Sequence, residues 1–440
     1  MRRTLCLSVS LLFLAACLPH TPYTRDYVSR GLQEKTGQPL PPPGEPKIPP
    51  GVSLDDGLSE DEAAALALWN NAAFRTDLAE LTAANATLIE AGQLPNPLVS
   101  FLHLFGVKGQ ESYLLWPVEA LVQRPRRILA AGLDVQKTAD DLIGRGTALS
   151  RDVRIAYADL DLAEKQAALA GEDARLRKEV AAIAAARLRA GDISGQEESA
   201  ARLDALRATD SAEIAVRNVE TSRIRFALLL GLEGEIPRLS PVAGPEGSAA
   251  TNPLPTLLEK AYASRPDLRS AQTSIDAAGA RLGWEKTRIL KLTATLDNKE
   301  KGEAGSFTGP SAKLEIPIFN RNEGGTARAR AEMERAAARY DAVRQQIAAE
   351  VREAFANLAA AKKASTLLTE EIAPAAAEAA ARARKSYTSG EESFLFVLDA
   401  ERRAIEALKR AAEVTAEVRR AEARLNWAVG SILAAGSSAR

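Results

Sequence analysis

The chain has 440 residues, 57 Lys and Arg against 58 Asp and Glu, and only 5% aromatic residues. A charge balance this even argues against a nucleic-acid binder, whose phosphate contacts need a basic excess. Few rings and long runs of alanine favour helices that approach closely rather than a large jigsaw core.

The first element is a targeting segment, MRRTLCLSVSLLFLAAC, with Arg2 and Arg3 ahead of the apolar stretch Thr4–Leu14 and the small pair Ala15–Ala16. Its ending, Leu14-Ala15-Ala16-Cys17, resembles a bacterial lipobox. The resemblance implies cleavage before Cys17, diacylglycerol on its sulfur and acylation of its new amine, and Leu18 in place of Asp implies sorting to the outer membrane. Several acyl chains make a firm anchor where one would be reversible. Cys6 leaves with the signal and Cys17 is lipidated, so no thiol remains for a disulfide, a zinc site or a nucleophile. A leader over residues 17–57 contains PLPPPGEPKIPPG at Pro39–Gly51, which favours extended polyproline conformation and predicts a spacer between anchor and body.

Helices follow. Ser59 and Glu62 have capping-box spacing, and the helical pattern runs to Gly92. After Pro95-Asn96-Pro97, short strands are predicted at Leu98–Val107 and Glu111–Trp116. From Leu121 to Ala190 the pattern is one helix of roughly 100 Å. Within it Leu149, Val153, Ala156, Leu160, Ala163 and Ala167 form an alanine-rich coiled-coil seam. Gly191-Asp192-Ile193-Ser194 breaks the helix, and a return helix reaches Gly231.

The order then repeats after a Gly/Pro-rich linker. A helix is predicted over Leu257–Ile289, strands over Leu290–Asp297 and Ser311–Ile316, a long helix from Gly325 to Tyr387, a break at Gly390 and a return helix to Gly430. VRIAYADL at Val153–Leu160 returns as VREAFANL at Val351–Leu358. The offset of about 200 residues far exceeds a solenoid unit and reads as a duplicated half-protein. The predicted organisation is a signal peptide at 1–16, the leader at 17–57, repeats at 58–231 and 256–430 separated by a linker at 232–255, and a tail at 431–440.

In the third and fourth strands Leu290, Leu292, Ala294 and Leu296 alternate with Lys291, Thr293, Thr295 and Asp297, and Ala312, Leu314 and Ile316 with Ser311, Lys313 and Glu315. This fits a barrel wall between lipid and water, and by pattern alone also a half-buried soluble sheet. The lipobox, the aromatics placed near strand ends (Phe105, Tyr113, Trp116, Phe307, Phe319) and the lack of an apolar run of about 20 residues after the signal favour the membrane. Four strands cannot close a barrel; three chains would supply about twelve.

In this order and duplication the residues resemble the outer-membrane efflux protein family, the TolC-like channel-tunnels. The likeness spans Leu58 to Gly430 and rests on the tandem halves, the strand pairs between helices, the approaches Pro117 to Arg124 and Pro317-Ile318-Phe319-Asn320-Arg321, and the tips Arg189-Ala190-Gly191-Asp192 and Tyr387-Thr388-Ser389-Gly390-Glu391. The resemblance implies a mainly α fold with a small β part: duplicated coiled-coil hairpins and four membrane strands per chain, assembled as a trimeric α/β-barrel channel-tunnel. It further implies a homotrimer in outer-membrane lipid, a periplasmic helical tunnel, docking to a periplasmic adaptor protein and an inner-membrane pump of the proton-driven RND type, and no nucleic-acid partner. PIFNRNEGG at Pro317–Gly325 and the short outer loops look most like the heavy-metal and divalent-cation branch. Drug efflux, type I secretion and a pore-less coiled-coil lipoprotein scaffold are the competing readings.

No phosphate loop, zinc motif or catalytic cluster is visible, so neither an enzyme nor a cofactor is expected. His20 and His103 stand apart, and Met333 is the one methionine left after processing, so a soft-metal relay is excluded. The expected site residues are the lipidated Cys17; Asp399, Glu391 and Glu392 as a pore constriction; Arg402 and Arg403 as a tip gate paired to neighbouring helices; and Gly191, Asp192 and Gly390 as adaptor-docking tips, both glycines at positive φ. Arg124, Arg126 and Arg127 read as headgroup or salt-bridge residues at the rim, and Pro374, without a first-half counterpart, predicts a bend.

Overall fold

The computed structural model describes residues 19–42, 48–52, 57–103, 110–232, 239, 252–300, 305–389 and 391–432. Helix α1 is Arg25–Thr36. The first half continues with α2 (Glu60–Asn70), α3 (Ala72–Gly92), β1 (Leu98–His103), β2 (Gln110–Pro117), α4 (Glu119–Ala190) and α5 (Gly195–Leu230). The second half repeats the order with α6 (Leu254–Ser264), α7 (Pro266–Thr287), β3 (Lys291–Glu300), β4 (Ser306–Glu315), α8 (Glu323–Thr366), a π-helical turn (Leu367–Ile372), α9 (Ala373–Thr388) and α10 (Phe394–Val429). The fold is mainly helical with one small antiparallel sheet.

Two single-helix expectations resolve into pairs. The stretch before β1 divides at Asn71, and the one before β3 divides at Arg265, where Pro266 starts a new helix because it has no N–H to continue the old one. Ser59 does cap α2: its hydroxyl accepts from Glu62 N, and the Glu62 carboxylate accepts from Ser59 N at 2.8 Å.

The chain forms two compact units that do not follow its sequence halves. One comprises residues 1–28, 76–143 and 266–345 and holds the sheet; the other comprises 29–75, 144–265 and 346–440. In the second unit the repeated octapeptide lies inside: Val153, Leu160, Val351 and Leu358 are all buried. The copies then diverge. Tyr157 is fully buried, meets Phe226 edge-on at 6.0 Å and donates to the Leu58 carbonyl at 3.1 Å, whereas Phe355 is only half-buried.

The leader is not an extended spacer over residues 25–36. Val28 and Leu32 of α1 are fully buried. Gly146 leaves room for Leu32, since a Cβ there would stand 2.6 Å from its Cδ2. Lys35 Nζ donates to Ser264 O at 2.6 Å and Gly430 O at 3.3 Å, meeting carbonyls at two helix ends. In the sheet-bearing unit, Tyr27 donates to Asp140 at 3.0 Å, and Pro19 packs so tightly on Gly92 that a Cβ there would lie 2.5 Å from it. The apolar spacing of Val28 and Leu32 signals this helix, but the prolines that follow masked it.

Burial raises the Tyr157 hydroxyl to about 12, with Asp161 adding to it, and burial with Asp140 raises Tyr27 likewise to about 12. Both folded values lie above the ordinary 10. Their contribution to stability is therefore complete below pH 10 and is lost as pH rises toward 12. A Tyr27→Phe/Tyr157→Phe chain is expected to lose less stability across that window than the parent, measured by urea unfolding. Leu32→Ala should cost about 2–5 kcal/mol in the same measurement at neutral pH.

Candidate functional site

The first candidate region is the sheet, ordered β1-β2-β3-β4 with all pairs antiparallel. Its register sorts the sequence alternation into two faces. Val99, Leu114, Leu296 and Pro310 lie side by side across the four strands; Trp116, Ala294 and Ala312 form the next row, and Leu292 with Leu314 the row after. On the other face Ser100, Tyr113, Asp297 and Gly309 are aligned, as are Thr295 with Ser311 and Glu111 with Lys299.

A soluble sheet would cover its apolar face. Here Leu296 is 44% exposed and Phe101 72%, while the polar Thr295 on the opposite face is 4% exposed. Several polar side chains on the other face bond one another. Tyr113 donates to Glu111, Thr295 bonds Ser311, Ser311 donates to Asp297 at 2.9 Å, and Lys291 pairs with Glu315 at 2.7 Å. From Leu292 to the polar row at Asn298 is six residues, or about 20 Å of strand, close to the apolar band of a membrane barrel.

Strand limits differ from the sequence reading. β4 begins at Ser306, not Ser311, because Gly309-Pro310 reads as a break, yet proline is tolerated on an edge strand. β3 runs on to Glu300. Tyr113 lies mid-strand and not at an end, whereas Trp116 closes β2 and donates to Pro95 O at 2.9 Å. Phe105 lies outside the described residues, and so does the outer part of the strand expected to reach Val107.

Arg124, Arg126 and Arg127 reach backbone carbonyls at neighbouring helix ends. They donate to the carbonyls of Gly92, Gly283 and Gln93, meeting the ends of α3 and α7 beside the strands. The bonds from Arg124 and Arg127 are 2.7 and 3.0 Å.

The second candidate region is the helix tips, in the other unit. At the first, Gly191 has φ +81 and Asp192 N donates to Arg187 O at 2.9 Å, a Schellman-type ending. Nothing lies within 4 Å of a Cβ on Gly191, so backbone conformation and not space demands glycine there. Ser194 caps α5 in a reciprocal box with Glu197, and the hydrogen bonds from Ser194 lower that carboxyl. At the second tip Ser393 caps α10 without a matching glutamate, and Glu391 N donates to Ser386 O at 2.9 Å. Gly390 and Cys17 lie outside the described residues.

The structure brings Asp399, Arg402 and Arg403 together. Asp399 pairs with Arg402 at 2.8 Å and Arg403 at 2.7 Å, all on α10. Within this chain the arginines therefore pair on their own helix and not, as expected, with acids of neighbouring helices. The trio carries one net positive charge, so Asp399 alone does not supply a cation-attracting surface. Glu391 and Glu392 are exposed at the tip and are not part of the trio. Asp399 and Arg402 also line a cleft of about 450 Å³ with Leu176, Val180 and Ile183 of α4 and Leu398 of α10.

Sequence reading missed the links between the hairpins. Arg419, 8% exposed, pairs with Asp161 at 2.9 Å and Arg420 with Asp159 at 2.6 Å, while Lys362 of α8 pairs with Glu422 of α10 at 3.2 Å within the second hairpin. Nearer the second tip Arg384 pairs with Glu401 at 2.5 Å. Asp159 and Asp161, on either side of the seam residue Leu160, were the available signal. The regular α-helix is interrupted ahead of Pro374: the π turn Leu367–Ile372 gives way to α9 at Ala373, with Pro374 in its first turn, and α4 has no such π turn.

His20 is exposed, and Met333 is half-buried among Leu129 and Ile275. Among the described residues no group of three or more His, Cys, Asp or Glu could hold a metal ion. No described helix is long and apolar enough to cross a membrane.

Comparison with known proteins agrees with this architecture. Residues 257–431 match the family described as outer membrane efflux protein. The cobalt-zinc-cadmium resistance protein CzcC of Cupriavidus metallidurans is 24% identical over 355 residues, covering 80% of this chain and 84% of that protein. The probable outer membrane lipoprotein SilC of Salmonella typhimurium is 29% identical over 206 residues, 43% of this chain and 44% of that one. A CusC crystal structure described in terms of transmembrane channel formation superposes with a TM-score of 0.70 at 19% identity, covering 89% of this chain and 99% of that one. The chain therefore shares the α/β channel-tunnel fold.

Gly191→Val should strain the first tip by about 1–2 kcal/mol, seen as faster proteolytic nicking between α4 and α5 with unchanged overall helix content. Gly191→Asn, which tolerates the left-handed region, should nick at nearly the parent rate.

Proposed function

From a chain whose residues 257–431 carry the outer membrane efflux protein domain, we propose a passive outer-membrane channel that ends a tripartite export system. The sheet carries this reading. It has a bare apolar face, an opposite face whose polar side chains bond one another and, among the described residues, two strand edges, β1 and β4, with no neighbour beyond them. Lipid on one face and water on the other fit a barrel wall, and the edges close only by pairing with further copies. Three copies give about twelve strands, enough for a water-filled interior where about eight would be plugged by side chains.

The leader supports a lipid anchor at the same level. Pro19 packs against Gly92, just ahead of β1. The two residues from Cys17 to Pro19 span at most about 7 Å, so acyl chains on Cys17 would enter the membrane near the helix-proximal end of the strands.

The chain acts as a conduit and not as an enzyme. Its cargo is divalent metal ions, a reading supported by the resistance protein to which it is similar. Selection is left to a proton-driven inner-membrane pump and a periplasmic adaptor that docks at the tips around Gly191, Asp192 and Gly390. Glu391 and Glu392, with the Asp399 cluster, form the constriction, and Arg402 and Arg403 help hold it closed.

A strain lacking the gene is expected to become sensitive to divalent metal salts and to regain resistance with the intact gene. Sensitivity confined to antibiotics or detergents would instead assign the channel to drug efflux. Cys17→Ser should abolish labelling by radioactive palmitate. In planar bilayers Asp399→Ala should shift selectivity toward anions, because it leaves two arginines without their carboxylate; unchanged selectivity and divalent block would reduce Asp399 to a solvated surface residue.

A further inference from the structure

Where β4 passes into α8 the chain turns a corner that is both apolar and basic. Ile316 is 71% exposed, Ile318 63% and Phe319 fully exposed. Ile316 continues the alternation of Ala312 and Leu314, so the corner extends the bare face of the sheet.

The corner is held rigidly to the end of α7. Asn322 takes φ +56 and its N–H donates to Asn320 Oδ1 at 2.9 Å. Its side-chain amide donates to Glu285 O at 2.8 Å and to Glu285 Oε2 at 2.7 Å. Gly325 fits only without a side chain, since a Cβ would lie 2.5 Å from both Asn322 Oδ1 and Glu285 Oε2. Arg288 donates to the same carboxylate at 2.9 Å.

Cations gather on this joint. Lys286, Arg288, Lys291, Arg321, Arg328 and Arg330 accompany the acids Glu285 and Glu323 within the segments 284–291 and 316–330. Glu285 is directed into the joint, and Lys291 is matched by Glu315. Among the described residues Lys286 and Arg321, both exposed, have no ion-pair partner. Arg124, Arg126 and Arg127 close by are engaged with helix-end carbonyls and are not equivalent to them.

We propose that this corner binds the headgroup of an anionic phospholipid. Phe319 and Ile318 enter the acyl boundary while Lys286, Arg288 and Arg321 meet the phosphate. Apolar and aromatic side chains flanked by cations suit a membrane interface of negative charge, and guanidinium groups match phosphate oxygens. A second copy of the same corner is disfavoured as the occupant, because it would bring like charges together. The proposal rests on the reading of the sheet as a membrane wall.

The test uses the full chain in phosphatidylcholine vesicles containing either brominated phosphatidylcholine or the same fraction of brominated phosphatidylglycerol. Trp284 lies at the joint, with Arg288 5.9 Å from its ring, and Trp116 stands in an apolar row of the sheet, so quenching of their fluorescence reports lipid at the corner and at the sheet. Phosphatidylglycerol should quench at the lower mole fraction. Lys286→Gln/Arg288→Gln/Arg321→Gln should reduce that preference about tenfold or more, while quenching by phosphatidylcholine stays unchanged. Equal quenching by the two lipids in the parent chain overturns the lipid site but leaves the membrane wall standing. No quenching by either lipid means that the sheet is not inserted, and the wall fails first. A preference abolished by millimolar glycerol phosphate assigns the site to free phosphate and also overturns the proposal.

Discussion

Every long helix that ends inside a packed body must find partners for its last carbonyls, and this chain solves the problem twice at one kind of joint. Each return helix stops at a glycine in the left-handed region, Gly231 and Gly430, pressed against the bend between two short helices. A Cβ on Gly231 would collide with the Asn70 carbonyl, and one on Gly430 would lie 2.8 Å from Ser264 Oγ. Asn71 donates to Leu229 O at 3.0 Å, while Arg265 donates to Ala428 O at 3.3 Å and Ser264 to Val429 O at 2.5 Å. Duplication preserved the geometry and exchanged the donors. Lys35 adds a donor at the second joint, which ties the leader helix into the fold. Trp427 lies between Arg151 and Arg265, 4.2 and 4.4 Å from its ring centre, and Glu350 balances the buried Arg265 at 2.9 Å.

The same economy of partners governs the sheet. Hydrogen bonds and ion pairs link side chains on its polar face, and among the described residues its apolar face has no cover. A single copy is thus incomplete in two ways, at the open face and at the open edges, and each calls for a different companion. Lipid suits the face, and backbone from another copy suits the edges.

The two hairpins are alike in order but not in mechanics. α4 runs for 72 residues without interruption. Its counterpart passes through a π turn and Pro374 before reaching the tip, and beyond that point the second hairpin carries its own ion pair, Arg384 with Glu401. Ionic links with low exposure, such as Arg419 to Asp161, lie on the α8-proximal side of the interruption. Partly buried pairs of this kind depend on good geometry to offset desolvation, so they set register more than they add stability.

The order of the main helices and strands could be read from the sequence, but the leader helix α1 and the divisions at Asn71 and Arg265 could not. Glycine at Gly191, proline at Pro317 and the alanine seam through Val153 and Leu160 act locally, through φ, a missing N–H and side-chain volume, so they can be read without coordinates. The alternation of Leu292, Ala294 and Leu296 against Thr293, Thr295 and Asp297 likewise foretold a two-faced sheet, because side-chain direction in a strand follows from the pleat. Only the tertiary structure decided what each polar group meets. It assigned Arg124 and Arg127 to carbonyls at the end of α3, Arg402 and Arg403 to Asp399, and Lys35 to a joint nearly 400 residues further along the chain. A charge in the sequence has a sign but no partner, and the partner comes from whichever distant backbone the folded chain carries to within about 3 Å.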